Sequence, residues 1–266
     1  MGAKGYVIQG GIEGSRRLRL LSEVQGPSTE ALIAEAGVSE GASCLDLGCG
    51  GGDVSLLLAR AVGRRGRVLG VDRDDEALDL ARCEAVERGV ANVEFEQHDV
   101  TGWEPEELFD VVYARFLLAH LADPAAMLRA MRRHLRPGGT VIVEDVQYQG
   151  HFAEPSCAAF WRYVDLYTLA ARHRGGDPEI GPRLPRLMRE AGFVDIEVNV
   201  VQPAALVGGT KLLICTTLES IAESVIDAAL CTREELEETI RELYAFAHDP
   251  TTLMGGPRVF QLWATA

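Results

Sequence analysis

The chain has 266 residues, of which 47% are hydrophobic and 25% are charged, and its formal net charge is -14. This length and composition allow one elaborated domain with a sizeable core, and the acidic balance argues against a protein that holds DNA or RNA by its phosphates. The six cysteines share no metal-ligand spacing. No apolar stretch reaches the ~18 residues of a membrane span, and the N-terminus shows no evident signal peptide. We therefore expect a cytoplasmic protein with no metal, no membrane partner and no nucleic-acid partner.

Strand-like and helix-like patterns alternate through the first half of the chain. The predicted strands are 43–47, 67–71, 93–97, 109–114 and 140–146, and the predicted helices are 54–61, 75–87 and 124–134. Strands that alternate with helices form βαβ units, which build a parallel sheet. The first half therefore predicts an α/β protein.

The second half is less regular. Its predicted helices are 157–172, 182–191, 212–230 and 233–247, and its predicted strands are 193–201 and 258–263. Thr232 is expected to cap the last helix, with Glu235 completing the cap. The segments 148–182 and 205–250 are predicted to be insertions that decorate the core, and not separate domains.

A glycine-rich turn follows the first predicted strand and precedes a helix. Gly48, Gly50 and Gly52 suit a backbone that turns tightly and lets a ligand approach it. Open α/β sheets bind nucleotides at this place. A dinucleotide site would need Gly or Ala at position 53, but Asp53 would compete with a pyrophosphate at the helix N-terminus. We expect no NAD binding; the alternative is a tight turn with no ligand.

The spacing of Asp46, Gly48, Gly50 and Gly52 resembles the first motif of class I S-adenosylmethionine (SAM)-dependent methyltransferases. Residues 118–124 and 135–139 resemble the ubiquinone/menaquinone-biosynthesis-like group, so the resemblance covers residues 43–146. It implies a doubly wound sheet of seven mostly parallel strands with an antiparallel final strand. It also implies SAM as cofactor and S-adenosylhomocysteine (SAH) as product. One domain is expected: lid helices in 1–40, a cofactor-binding core in 41–147, and a helical cap from the two insertions.

Several cofactor contacts follow from strand ends or from the resemblance. Asp72 ends the second strand, where a carboxylate can accept hydrogen bonds from ribose hydroxyls; the alternative is an exposed strand-end Asp. The resemblance implies that Asp99 accepts from the adenine amino group and that Arg115 lines the methionine end. It also implies an N-terminal segment that folds over SAM, with an arginine at 16 or 17 near its carboxylate. The predicted cofactor residues are Tyr6, Gly10, Asp46, Gly48, Gly50, Gly52, Asp72, Arg73, Asp99, Val100 and Arg115.

The acceptor side is less defined. His120 is predicted on the first turn of the helix after the fourth strand, as a general base or a substrate contact; the alternative is a histidine satisfied by backbone. Acceptor contacts are expected where the fifth strand ends and on the aromatic helix after it, although these side chains also suit a structural role. The predicted acceptor residues are Glu144, His151, Trp161 and Tyr167, and Asp145 lies beside them.

Three functions remain open at this point. The first is methyl transfer to an O or N atom of a small molecule. The second is C-methylation of a quinone, sterol or isoprenoid-like acceptor. The third is a protein of this fold that binds a ligand without transferring methyl, as a regulator or an isomerase-like catalyst. We expect a small-molecule acceptor and a monomer or homodimer, and the sequence does not name the acceptor.

Overall fold

The structure is a computed structural model that describes residues 11–266, with side chains from Arg16 onward. Tyr6 and Gly10, two of the predicted cofactor residues, lie outside the described residues. The described helices are α1 (Gly11–Glu35), α2 (Asp53–Val62), α3 (Asp75–Glu87), α4 (Pro124–His134), α5 (Ala158–His173), α6 (Leu184–Glu190), α7 (Gly209–Ser220), α8 (Ala222–Asp227) and α9 (Arg233–His248). The described strands are β1 (Ser43–Leu47), β2 (Arg67–Asp72), β3 (Val93–Gln97), β4 (Phe109–Arg115), β5 (Leu135–Gln147), β6 (Phe152–Glu154), β7 (Val194–Val201), β8 (Ala204–Ala205), β9 (Leu253–Gly255) and β10 (Arg258–Thr265).

Seven strands form one sheet in the order β3-β2-β1-β4-β5-β10-β7. β1 to β5 pair in parallel, and β10 runs antiparallel between β5 and β7. The predicted doubly wound sheet with an antiparallel final strand is confirmed. The strand order reverses between β1 and β4, which is the switch point where such sheets bind ligands.

Helices cover both faces of the sheet because the central strands are apolar on both faces. On one face, Cys44, Val111 and Ile142 pack against residues of α1 and α2. On the other face, Leu45 and Val112 join the larger core beneath α4, α5 and the C-terminal helices. β1 is therefore buried along its whole length, and its carboxyl end is held rigidly beneath the glycine-rich turn.

The C-terminal half adds a cap over this edge of the sheet. It combines α5, α7, α8 and α9 with a small antiparallel sheet in the order β6-β9-β8, which the sequence did not predict. The helix predicted at 212–230 is also wrong in detail, because it divides into α7 and α8 around Ile221. Thr232 and Glu235 form the expected capping box at the start of α9. None of the described helices has both the length and the apolar content needed to cross a lipid bilayer.

Lys211 connects the start of α7 to the end of α9 within the cap. Its side chain is fully buried, and Nζ donates to the backbone oxygens of Leu206, Asp249 and Thr252 at 2.8–3.0 Å and to Thr252 Oγ1 at 2.7 Å. The first oxygen precedes α7 and the others follow α9. A buried ammonium is stable only with such partners, so Lys211 fixes the two helices relative to each other.

Candidate cofactor and acceptor site

A cavity of about 950 Å³ lies at the carboxyl ends of β1, β2, β4 and β5, between the sheet, α1 and the cap. A cavity of this size lies at the upper end of the range for small-molecule sites, roughly 300–1,000 Å³. Of the predicted residues described, it is lined by Asp46, Gly48, Gly50, Asp72, Arg73, Asp99, Val100, Arg115, His120 and Tyr167. The topology therefore brings residues from distant parts of the chain to one edge of the sheet.

The glycine-rich turn is left-handed at each of its predicted glycines. Gly48 and Gly50 have φ of 70° and 51° and face the cavity, where a ligand can approach the bare backbone. Gly52 does not line the cavity. A Cβ on Gly52 would lie 2.7 Å from the Cβ of Ala81 and 2.9 Å from the ring of Phe95. The third glycine therefore allows α2 to pack closely against α3 and β3.

Asp72 connects the end of β2 to this turn. Its Oδ2 accepts the N–H of Gly50 at 2.9 Å, and its Oδ1 accepts the N–H of Asp74 at 3.0 Å. The carboxylate also lines the cavity. Asp72 thus orders the turn and also borders the cavity where ribose hydroxyls are predicted.

Asp46 lies beneath the turn and is 1% exposed. Among the described residues, only Ser55 Oγ donates to its side chain, at 2.6 Å. Burial raises the pKa of Asp46 to about 7, against the opposing effects of Ser55 and of the Arg115 charge. A buried carboxylate of this kind suits binding of a cation, because an ammonium group beside it would stabilise its ionised form.

Arg115 ends β4 and is buried against Asp53, with which it forms an ion pair. Its Nη1 also donates to Thr29 Oγ1 of α1 at 3.3 Å. The Thr29 hydroxyl in turn donates to Glu144 Oε1 at 2.8 Å. Arg115 therefore joins three elements, and the Asp53 that disfavours a pyrophosphate neutralises this arginine instead.

Glu144 lies within the same network and outside the cavity. Its oxygens also accept from the Tyr113 hydroxyl and from Gln261 Nε2, the latter at 2.8 Å. The side chain is fully buried. This placement does not support the predicted acceptor contact. It shows Glu144 joining α1, β4 and β10, a role that no local sequence signal indicates.

The far end of the cavity contains Asp99 and Val100 after β3. Asp99 Oδ1 accepts the N–H of Thr101 at 2.9 Å, and the hydrogen bonds from Thr101 lower the pKa of Asp99. Asp99 is therefore ionised at neutral pH and can accept a further hydrogen bond. Its predicted contact with the adenine amino group remains a prediction.

His120 also lines the cavity, on the short 3-10 turn Leu118–His120. The sequence placed it on the first turn of the following helix, but α4 begins only at Pro124 because Asp123 caps it there. Burial, with the nearby charges of Arg17 and Arg73, lowers the pKa of His120 to about 4. The imidazole is therefore neutral at physiological pH and can act as a hydrogen-bond acceptor.

Asp145 lies beside this turn and lines the same end of the cavity. Its Oδ2 accepts the N–H of Ala119 and its Oδ1 the N–H of Val146, both at 2.9 Å. Burial raises the pKa of Asp145 to about 7. A carboxyl with a pKa near the working pH suits proton transfer. The sequence prediction named Asp145 but selected its neighbour Glu144, because two acidic residues at a strand end cannot be distinguished without their partners.

Tyrosines form one wall of the acceptor end. The rings of Tyr148 and Tyr167 stack with centroids 3.9 Å apart and an interplanar angle of 3°. The hydroxyls of Tyr148 and Tyr163 are 3.1 Å apart, and all three residues line the cavity. We call Tyr148, Tyr163 and Tyr167 the tyrosine wall. Such a wall suits a flat or apolar acceptor body.

The other two predicted acceptor residues do not line the cavity. His151 is buried behind the tyrosine wall, and its Nδ1 donates to the Tyr148 carbonyl at 2.7 Å. Trp161 lies on the outer face of α5, where its indole donates to Ser156 Oγ at 3.3 Å. Their positions favour structural roles for His151 and Trp161 and do not support direct contact with an acceptor.

Comparisons with known proteins agree with this geometry. Residues 38–174, just over half of the chain, match the family described as Methyltransferase domain. A ubiquinone/menaquinone biosynthesis C-methyltransferase of Azotobacter vinelandii is 36% identical over 140 residues, which cover 52% of this chain and 53% of that protein. A ubiquinone biosynthesis O-methyltransferase of Acinetobacter baylyi is 36% identical over 114 residues, covering 42% and 46%. The chain thus spans about half the length of these relatives.

Solved structures show the same fold. A methyltransferase structure from Bacillus halodurans has a TM-score of 0.61 and 18% identity, and the match covers 90% of this chain and 99% of that chain. The sheet order and the glycine-rich turn define a class I SAM-dependent methyltransferase. The chain belongs to the methyltransferase-domain family, and this membership implies SAM as its cofactor.

The residues of the cavity fit this cofactor. Gly48 and Gly50 present backbone without a Cβ to a ligand, and Asp46 is a buried carboxylate that can receive the methionine ammonium group. Asp72 and Asp99 present carboxylate oxygens further along the same wall. His120 and Asp145 line the same cavity, so the candidate cofactor groups and the candidate acceptor groups share one space.

Proposed function

We propose that this protein transfers the methyl group of SAM to a hydroxyl oxygen of a small molecule held in the acceptor end of the cavity. The observation that carries this proposal is the pair formed by neutral His120 and by Asp145 with its pKa near 7, both on the cavity wall. A hydroxyl loses its proton when it is methylated, and these groups can receive that proton.

We propose that Asp46 binds the methionine ammonium group, Asp72 the ribose hydroxyls and Asp99 the adenine amino group. Bound SAM supplies an activated methyl group on its sulfonium. The protein's own contribution is to position the acceptor and to exclude water. The tyrosine wall and the cap segments 148–182 and 205–250 are proposed to hold the acceptor body.

The proton is proposed to pass to Asp145. His120 is a weaker base because its pKa lies near 4, so it accepts a hydrogen bond from the acceptor hydroxyl and orients it. Asp145 can take the proton near neutrality while its oxygens keep the N–H groups of Ala119 and Val146. Carbon methylation of a quinone-like acceptor is the second candidate, supported by the match to the C-methyltransferase relative.

The test is release of SAH from SAM with a panel of phenols, amines and electron-rich carbon acceptors. We expect turnover with hydroxyl acceptors, and kcat for Asp145→Asn lower by about 10²-fold, the typical contribution of general acid–base catalysis. The acidic limb of the wild-type pH–rate profile near pH 7 should disappear in this variant. Asp165→Asn, an exposed carboxylate on α5, is the matched control.

The proposed methyl transfer would be refuted if the protein does not bind SAH, or if it forms no SAH from SAM with any acceptor in the panel. Turnover with carbon acceptors alone would favour the second candidate. An Asp145→Asn protein with wild-type kcat and the same acidic limb would remove the base assignment and leave the transfer itself in place. Calorimetry with SAH on each variant separates a loss of cofactor binding from a loss of chemistry.

A further inference from the structure

Arg17 is a buried cation on the wall of the cavity. It projects from α1 and is 9% exposed. Its Nε donates to Thr217 Oγ1 of α7 at 3.2 Å. Within the part of the chain whose side chains are described, no carboxylate lies within 4 Å of its guanidinium. Burying a charge without a counter-charge is costly, so the guanidinium suits an anionic ligand group.

The surroundings of Arg17 place it at the acceptor end. Its charge lowers the pKa of His120 and opposes the rise in the pKa values of Tyr148 and Tyr163. Its hydrogen-bond partner Thr217 belongs to the cap. The arginine whose charge acts on Asp46 is Arg115, which is paired with Asp53.

A second cation faces the same cavity. Arg174 follows α5 and lines the wall near the tyrosine wall, and in the described part of the chain it has no carboxylate partner within 4 Å. The carboxylate at this end is Asp145, which already accepts two backbone N–H groups. Two arginines, Arg17 and Arg174, therefore line the cavity together with Asp145, on which the charge of Asp177 also acts.

We infer that the acceptor is an acid: it carries a carboxylate that binds Arg17, in addition to the hydroxyl that receives the methyl group. This inference rests on the proposed function and specifies its substrate class. The carboxylate serves as a handle, because an oxygen paired with a guanidinium is a poorer nucleophile than a hydroxyl beside Asp145 and His120. The flat tyrosine wall favours an aromatic or otherwise unsaturated body between the two groups.

The test compares hydroxy acids with their neutral amides. The probes are 4-hydroxybenzoate, 3,4-dihydroxybenzoate and 4-hydroxycinnamate, each paired with its amide and titrated into the SAH-saturated protein by calorimetry. We expect at least one acid to bind about tenfold or more tightly than its amide, which is the value of one charge-assisted hydrogen bond or more. Arg17→Met should abolish that preference, and Arg17→Lys should retain part of it. Arg19→Met, an exposed arginine on the same helix, is the matched control.

The alternative source of a carboxylate is the cofactor itself, and a second pair of probes separates the two. SAH has the amino-acid carboxylate, whereas 5′-methylthioadenosine lacks it. If Arg17→Met weakens SAH binding about tenfold and leaves 5′-methylthioadenosine unchanged, Arg17 serves the cofactor and the inference is overturned. It is also overturned if no acid binds more tightly than its amide. If the protein binds acids more tightly than amides but never forms SAH from SAM, the anion site is supported and the proposed methyl transfer is refuted.

Discussion

Replacing Asp46 by Asn should stabilise the ligand-free protein at alkaline pH and weaken cofactor binding. Burial raises the pKa of Asp46 from its ordinary 3.8 to about 7. Each pH unit of that rise corresponds to about 1.4 kcal/mol, so ionised Asp46 costs the folded state about 4 kcal/mol above pH 7. The neutral amide of the Asp46→Asn variant avoids this cost, and its oxygen can still accept the Ser55 hydrogen bond.

The pH dependence of stability follows from the raised pKa of Asp46 in the folded state. A carboxyl whose pKa is raised in the folded state adds most to stability below its unfolded pKa near 4. That contribution is lost as the pH rises to about 7. Denaturant unfolding at pH 5 and pH 8 should therefore show a variant whose gain in stability over wild type is larger at pH 8, by about 3 kcal/mol for the two pH units between 5 and 7. Asp145, whose pKa is similarly raised, is present in both proteins, so the difference isolates Asp46.

Cofactor binding should change in the opposite sense. The SAH ammonium group favours the ionised form of Asp46, so wild-type Kd should fall about tenfold between pH 6 and pH 8. The variant should bind more weakly and with little dependence on pH. Calorimetry at three pH values measures both effects. A variant that is no more stable at pH 8, together with a wild-type Kd that does not vary with pH, would refute the buried-carboxylate argument.

Two further substitutions test the cofactor turn and the cap. Asp72→Ala removes the acceptor of the Gly50 N–H and the proposed ribose ligand, so calorimetry should show SAH binding weakened by ~1.5–3 kcal/mol; an unchanged Kd would show that Asp72 is not a cofactor ligand. Lys211→Met leaves buried oxygens of Leu206, Asp249 and Thr252 without their donor, so urea unfolding should show a loss of about 3 kcal/mol or more. A stability within experimental error of wild type would mean that water replaces the ammonium group.

The cofactor-binding half was predictable because its signals are local. Residues 45–53 contain a buried strand, a turn that requires positive φ, and the start of a helix, all within nine consecutive positions. The strand order then places Asp72 and Asp99 at the same edge, since parallel strands present their carboxyl ends together. The roles of these residues toward the cofactor remain predictions.

The acceptor half was less predictable because its contacts join residues far apart in the sequence. Glu144 and Asp145 are adjacent and acidic, but alternate strand residues point to opposite faces. One therefore faces Thr29 and Gln261, and the other faces the cavity. Only those partners distinguish a structural carboxylate from a candidate base. The division of the helix predicted at 212–230 and the three short strands of the cap likewise depend on tertiary packing.

Helix α1 contacts the glycine-rich turn, the Arg115–Glu144 network and the cap. The side chain of Leu18 lies against Gly51 of the glycine-rich turn, at 3.6 Å from the position that a Cβ would occupy. Thr29 hydrogen-bonds to Arg115 and Glu144. Arg17 lines the cavity at the proposed acceptor end. A displacement of α1 would therefore change the cofactor turn, the arginine of the methionine end and the proposed anion site together. The helix is held to the sheet by a buried polar network and to the cap by the Arg17–Thr217 hydrogen bond. Buried polar networks require all their partners. The position of α1 that satisfies Glu144 and Arg115 also places Arg17 on the cavity wall. The proposed cofactor and acceptor sites would therefore depend on one structural element.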